Sequence, residues 1–362
     1  MKKSKILSVI SVIGPHGGTS NKLKALISGS KHEHYVYCPL YNRERNAQLK
    51  EDYDWFTNTG IYCEYRCNGR NIFPYIRDIV RIVRENNIEI VHFYFNYENT
   101  FAPFVKLFCP GIKIVRSIVG YDAPLSTIRH FLLDNTFRFT NKYIFISHYI
   151  KTLYECDYPR LKEKQSQIIY NGAVNVKQSH IPYKQRKDLV TTSGLSKRKN
   201  VEVLVEAMNL VVNKYHKNIK LYILGDGPSR KTIEDLISRY GLKENVCLVG
   251  YTNSVADYLD NCLIYVHPAT TEGFGIAVTE AMFMKCPCIG SNAGALPELI
   301  ADGKNGYIVD SYDARQWADR IVNLLEDPEL AYRMSNESFR RATELFPLQA
   351  FIDNHDKYYD AL

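Results

Sequence analysis

Short apolar runs recur along the chain, and each is followed by a stretch whose apolar positions fall at helical spacing. That alternation predicts βα units built on parallel sheets. In the first half the strands are expected near Ile6–Val12, Tyr35–Tyr37, Ile88–Phe95, Ile112–Val119, Lys142–Ser147 and Ser166–Tyr170. Helices are expected from Asn21, from Pro74 to Asn86, from Phe101 and from His148. The second half repeats the pattern, with strands near Leu189–Ser193, Ile219–Gly225, Val246–Val249, Leu263–Val266, Cys288–Ser291 and Tyr307–Val309. Between the halves, Asn175–Lys187 is polar, carries Pro182 and shows no period, which marks it as a linker. Pro347–Leu362 reads as one more helix. At 362 residues the chain exceeds what one core usually serves, so two domains are expected.

Charge divides the halves. Residues 1–175 carry nine net positive charges and the remainder two net negative ones, out of a total of +7. A basic half suits an anionic membrane or an acidic acceptor as well as a plain solvated surface, and no nucleic-acid-binding signature accompanies it. The nine cysteines are odd in number and scattered, as expected of reduced thiols in a cytoplasmic protein, and neither Cys286 with Cys288 nor Cys63 with Cys67 has the paired partner of a zinc site. No metal is expected. The opening MKKSKILSVISVIG lacks a small-x-small cleavage site and runs into Pro15-His16-Gly17-Gly18, which reads as a first strand and a glycine turn. No run approaches the roughly 18–20 apolar residues of a membrane span, so membrane contact would be peripheral.

The chemistry concentrates in EGFGIAVTE, Glu272 to Glu280. Glu280 is the sole ionisable side chain between Gly273 and Met284, set among Ile276, Ala277, Val278, Ala281 and Met282. A carboxylate in such surroundings needs hydroxyl or cationic partners. Gly273 and Gly275 allow close approach of a ligand to the backbone, and the helix that follows offers a dipole end suited to a phosphate. A helix beginning near Gly275 puts Glu280 roughly 7–8 Å along its axis, about the distance from a diphosphate to its ribose.

Two glutamates separated by seven residues, the second followed by Ala281-Met282, resemble the signature of the retaining glycosyltransferases of family 4. Cys286-Pro287-Cys288-Ile289-Gly290, Ala293-Gly294-Ala295-Leu296-Pro297-Glu298 and Asp302-Gly303-Lys304-Asn305-Gly306 are similar to that family's following strand, loop and turn, and Asn171-Gly172, Lys199 and Gly225-Asp226-Gly227-Pro228 precede them in family order. The resemblance implies an α/β GT-B fold, two Rossmann-like domains whose parallel sheets face across a cleft. Residues 1–175 would form the N-terminal acceptor-binding domain, with 347–362 crossing back onto it, and residues 176–346 the C-terminal donor-binding domain.

On that resemblance Glu272 and Lys199 are the catalytic candidates. Gly17, Gly18, Arg198, Lys199, Gly273, Phe274, Gly275 and Glu280 are carried as donor-binding, with Glu280 on the ribose and Lys199 on the diphosphate. The family's arginine position falls on Gly194; Arg198 or Lys197 would have to supply a second charge, the alternative being a solvated basic turn. Gly17-Gly18 resembles the family's glycine loop, with a tight turn as the plain reading. Val119 stands where many members carry histidine, and Asp122 and His148 are acceptor-side candidates that serve equally as turn and surface residues. The aromatic run Phe93–Tyr97 reads as core packing rather than a sugar platform.

The implied activity is retaining transfer of a sugar from a nucleotide-sugar, UDP-linked in preference to GDP-linked, to a glycan or lipid-linked acceptor in cell-envelope polysaccharide assembly. No further cofactor is expected. The alternative is a non-catalytic subunit that binds a partner enzyme or glycan, which the Gly194 and Val119 departures favour and the intact glutamate pair opposes.

Overall fold

The structure is a computed structural model and describes residues 3–10, 18–39, 54–66, 71–121, 127–173 and 180–362. It divides into two compact units, Met1–Val174 with Leu348–Leu362, and Asn175–Pro347.

The first unit is built on seven parallel strands, β1 (Lys5–Val9), β2 (Glu33–Pro39), β3 (Cys63–Arg66), β4 (Ile90–Phe93), β5 (Lys113–Ile118), β6 (Lys142–Phe145) and β7 (Ser166–Ile168), in the order β3-β2-β1-β4-β5-β6-β7. Both faces are covered, as a parallel sheet requires. Leu7, Val9, Val91 and Phe93 point to the helices Phe73–Glu85 and Ala102–Phe108, where Ile76, Ile79, Phe101 and Val105 close that core. The alternate positions Ile6, Ile90, Val115 and Ile144 meet Phe351, Ile352 and Tyr359 of the terminal helix Leu348–Asp360. Short polar β3 has no apolar run to announce it, and the sequence reading passes over it. The helix expected from Asn21 begins three residues earlier, at Gly18.

The terminal helix is seated on a polar layer rather than on apolar side chains alone. His92 lies between the Tyr359 hydroxyl, 2.7 Å from Nδ1, and the Ser117 hydroxyl, 2.8 Å from Nε2. His34 and His355 are buried in the same region, and both ring nitrogens of His34 lack a hydrogen-bond partner among the described residues. Burial is the largest cause holding all three imidazoles neutral: His34 is lowered to about 3, His355 to about 4, and His92 falls well below its ordinary value.

The second unit holds six parallel strands, β8 (Asp188–Thr192), β9 (Leu221–Leu224), β10 (Val246–Gly250), β11 (Cys262–His267), β12 (Cys288–Ser291) and β13 (Gly306–Val309), ordered β10-β9-β8-β11-β12-β13. Its core joins Leu189, Ile223, Ile264 and Ile289 of the sheet to Leu204, Trp317 and Ile321 of the helices. The stretch read as a linker, Asn175–Lys187, falls within the second unit. Residues 174–179 lie outside the described residues, but 180–187 pack into this unit: the Tyr183 hydroxyl donates to Leu263 O at 2.9 Å, and buried Arg186 donates to Met284 O at 2.7 Å. Polar composition concealed two buried anchors.

The histidine layer makes stability depend on pH. The folded state resists protonation of these imidazoles and the unfolded chain does not, so stability is complete above about pH 6.5 and falls below it, by roughly 1.4 kcal/mol per pH unit for each. Urea unfolding between pH 5 and 8 should show that slope. His34→Leu, which removes a buried ring whose nitrogens have no hydrogen-bond partner among the described residues, should lower that slope by about a third without loss of stability at pH 8; an unaltered slope would contradict the assignment.

Candidate active site

In an open parallel sheet the chain leaves neighbouring strands in opposite directions at one point, and the crevice beyond their carboxyl ends is where ligands bind. In the second unit that point lies between β8 and β11, since β8 continues to β9 on one side and β11 to β12 on the other. β8 delivers Thr192 and then the turn Lys197–Lys199; β11 delivers His267 and then the loop to Glu272. The two strand ends are tied by the buried Tyr265 hydroxyl, 2.8 Å from Thr192 Oγ1.

Lys199 and Glu272 meet at this crevice. Lys199 Nζ is 2.6 Å from Glu272 Oε2, with both side chains largely out of solvent. His267 Nε2 contacts the same oxygen at 3.0 Å. Burial by itself would raise the Glu272 pKa; the His267 hydrogen bond and the Lys199 charge outweigh it and hold the carboxyl down to about 2. Burial also holds His267 below its ordinary value in spite of that carboxylate. Glu272 is therefore ionised beside a neutral imidazole. An ionised carboxylate only accepts, so the His267 proton sits on Nε2, and the bare Nδ1 is buried without a partner among the described residues. Both donors use Oε2, and among the described residues none bonds Oε1, which leaves it for a ligand hydroxyl.

The loops hold this arrangement through their backbones. Thr270 donates to Arg198 O from its amide at 2.9 Å and from its hydroxyl at 3.1 Å, joining the β8 turn to the β11 loop. Ala295 N donates to Glu272 O at 2.9 Å. Gly294, at φ +62, lies so close that a Cβ there would sit 2.1 Å from Glu272 O.

The predicted residues fall as follows. Lys199 and Glu272 are in direct contact. Arg198 engages the β11 loop through its carbonyl while its side chain is exposed. Gly275 ends the turn at φ +108 and starts the helix Ile276–Phe283, and half-buried Glu280 lies on that helix near Tyr265, whose phenol is pushed up by burial first and by the Glu280 charge to a lesser degree. Phe274 is buried and packs edge-on against Phe346, their rings 5.6 Å apart, so its side chain works in packing. In the first unit, Gly18 opens the helix Gly18–Gly29, and exposed His148 opens the helix His148–Asp157, its ring 6.3 Å from Tyr170. Gly17 and Asp122 lie outside the described residues. His267 and the packing role of Gly294 escaped the sequence reading. The sign was available for His267: a lone polar residue closing an apolar strand immediately before Pro268.

A doubly wound parallel sheet with an ion-paired carboxylate at its switch point defines a ligand-binding α/β enzyme fold. Residues 175–341 match the model for glycosyl transferases group 1, and residues 21–174 that for glycosyltransferase family 4. The chain belongs to the family 4 glycosyltransferases and is an enzyme of GT-B fold. It is 25% identical over 305 residues to N-acetyl-alpha-D-glucosaminyl L-malate synthase of Bacillus anthracis, covering 78% of each chain. It is 28% identical over 156 residues to poly(ribitol-phosphate) alpha-N-acetylglucosaminyltransferase of Staphylococcus aureus, covering 43% of this chain and 31% of that one. Anabaena HepE, solved in complex with UDP, shares the fold with a TM-score of 0.86 at 18% identity, over 99% of this chain and 100% of that one. HepE has also been solved with UDP-glucose.

Two glycines near the crevice should respond oppositely to alanine. Gly294→Ala forces a methyl into the Glu272 peptide and should lower the melting temperature by several degrees, a cost on the order of 2 kcal/mol. At Gly194 a Cβ meets nothing nearer than 3.9 Å among the described residues, so Gly194→Ala should leave melting unchanged or slightly raised. Differential scanning calorimetry on the two variants checks both.

Proposed function

We propose that the chain is a retaining glycosyltransferase that takes a UDP-linked sugar as donor and a glycan or lipid-linked glycan of the cell envelope as acceptor. The observation that carries the reading is the ionised Glu272 at the β8/β11 switch point, held through Oε2 with Oε1 left for a sugar hydroxyl. Supporting it, relatives of this chain are named as alpha-glycosyltransferases, among them poly(glycerol-phosphate) alpha-glucosyltransferase of Bacillus subtilis, 29% identical over 177 residues that make up 26% of its length. An alpha product from an alpha-linked donor retains configuration. The UDP and UDP-glucose complexes of HepE favour uridine as the base.

In this reading the donor diphosphate meets Lys199 and the amino end of the helix Ile276–Phe283, which together offset the charge that develops as the sugar departs. The bond from the anomeric carbon to the phosphate oxygen breaks with oxocarbenium character. The acceptor hydroxyl bonds to that carbon on the same face, and its proton passes to the leaving phosphate. Glu272 holds sugar hydroxyls and Glu280 the ribose. The basic N-terminal half draws the enzyme toward an anionic surface bearing the acceptor. Among the described residues no helix is long and apolar enough to cross a membrane.

Isothermal titration with UDP, GDP and ADP tests the donor class. UDP should bind selectively, and Glu280→Ala should weaken it by roughly tenfold or more, the effect of losing hydrogen bonds to a charged acceptor. Absence of binding to all three nucleotides would overturn the reading.

Because a Cβ at Gly194 meets no atom of the described residues nearer than 3.9 Å, the backbone there accepts a side chain at the family's arginine position. Gly194→Arg should fold normally and tighten UDP binding by about threefold to tenfold, the range of one added charge-assisted contact at an exposed position. The same titration decides it.

A further inference from the structure

We infer that His267 is a positioning residue for the donor sugar: its Nε2 proton clamps Oε2 of Glu272, so that the carboxylate keeps facing the sugar while Lys199 turns to the diphosphate. The inference rests on the reading of a UDP-sugar site.

Lys199 and His267 share one oxygen but differ in freedom. The lysine ammonium has three donors on a flexible four-carbon stem and can follow a phosphate. The imidazole cannot follow. It ends β11, is 2% exposed, lies parallel to the Tyr265 ring at an interplanar angle of 18°, and is followed at once by Pro268. A diphosphate is the stronger competitor for the ammonium. Once Lys199 engages it, Glu272 would be a carboxylate with 15% side-chain exposure left with one hydrogen-bond donor among the described residues, His267. Without it the carboxylate would be held by Lys199 alone, itself drawn to the phosphate, and Oε1 would turn from the sugar.

Neutrality of the ring is part of the design. A charged imidazole beside Lys199 would add a second cation at the same oxygen, and the Lys199 charge is one of the causes that keep His267 unprotonated, after burial. The Nε2–H form supplies the hydrogen bond without the charge. Nδ1, buried without a partner among the described residues, marks the cost: such an acceptor persists where the opposite nitrogen has a task.

Glutamine can place an amide N–H near the position of Nε2, asparagine only near that of Nδ1, and phenylalanine supplies no donor. Titration of the full chain and its His267→Phe, His267→Asn and His267→Gln variants with UDP, UDP-glucose, UDP-galactose and UDP-N-acetylglucosamine separates the roles. The Phe and Asn variants should bind UDP within about twofold of the unaltered protein yet lose roughly tenfold in UDP-sugar affinity, and the Gln variant should recover most of that loss. UDP-sugar affinity insensitive to the Phe and Asn changes, or a Gln variant as impaired as Phe, overturns the inference. So does an unaltered protein that binds UDP but none of the three sugars. Failure to bind UDP at all overturns the donor reading beneath it instead. If the Phe variant does not fold, by circular dichroism, the Asn and Gln pair carries the comparison.

Discussion

Glu272 Oε2 accepts from an ammonium and an imidazole at once, and most of the local structure follows from keeping that oxygen in place. Taking a carboxylate and an ammonium this far out of water carries a desolvation cost, which at Glu272 the His267 hydrogen bond and the Lys199 charge outweigh. An ion pair in such surroundings is poor evidence for stability and better evidence for a task. The surrounding loops are shaped to serve it: the Thr270 amide and hydroxyl grip the lysine-bearing turn, and Gly294 lets the β12 loop close onto the Glu272 peptide.

The sheet supplies the geometry that the loops refine. β8 and β11 are neighbours whose chains depart in opposite directions, so their carboxyl ends bound a crevice with no crossover across its mouth. Lysine arrives from one side and glutamate from the other, 73 residues apart in sequence. The Tyr265–Thr192 hydrogen bond joins the strand ends beneath them, which limits how far the two sides can part.

The first unit solves a different problem. Its terminal helix must hold to a sheet whose covering face carries His34, Ser8 and His92 among the apolar residues. Hydrogen bonds joining the two ring nitrogens of His92 to the Tyr359 and Ser117 hydroxyls, one donated and one accepted, satisfy part of that layer, and neutral imidazoles accept burial that charged ones would resist. Here polar groups take a larger part than in the mainly apolar core between the sheet and helices of the second unit.

Much of this was legible in the sequence because the signals were local. β12 falls on Cys288–Ser291, as its apolar run predicts, and the turn at Gly275 opens the helix that carries Glu280. β3 was not legible, since Cys63–Arg66 alternates polar and apolar residues over too short a span, and Tyr183 and Arg186 were hidden in a polar stretch whose partners lie about 80 and 98 residues away. By itself the sequence determined the alternation of strand and helix, the family resemblance and the two glutamates. Only the tertiary structure decided that His267 and Lys199 share one oxygen of Glu272, that Phe274 turns inward onto Phe346, and that Gly294 closes onto the Glu272 peptide. The physical reason is that periodicity records which face of an element is buried, whereas a hydrogen bond between loops depends on where folding brings two distant strand ends.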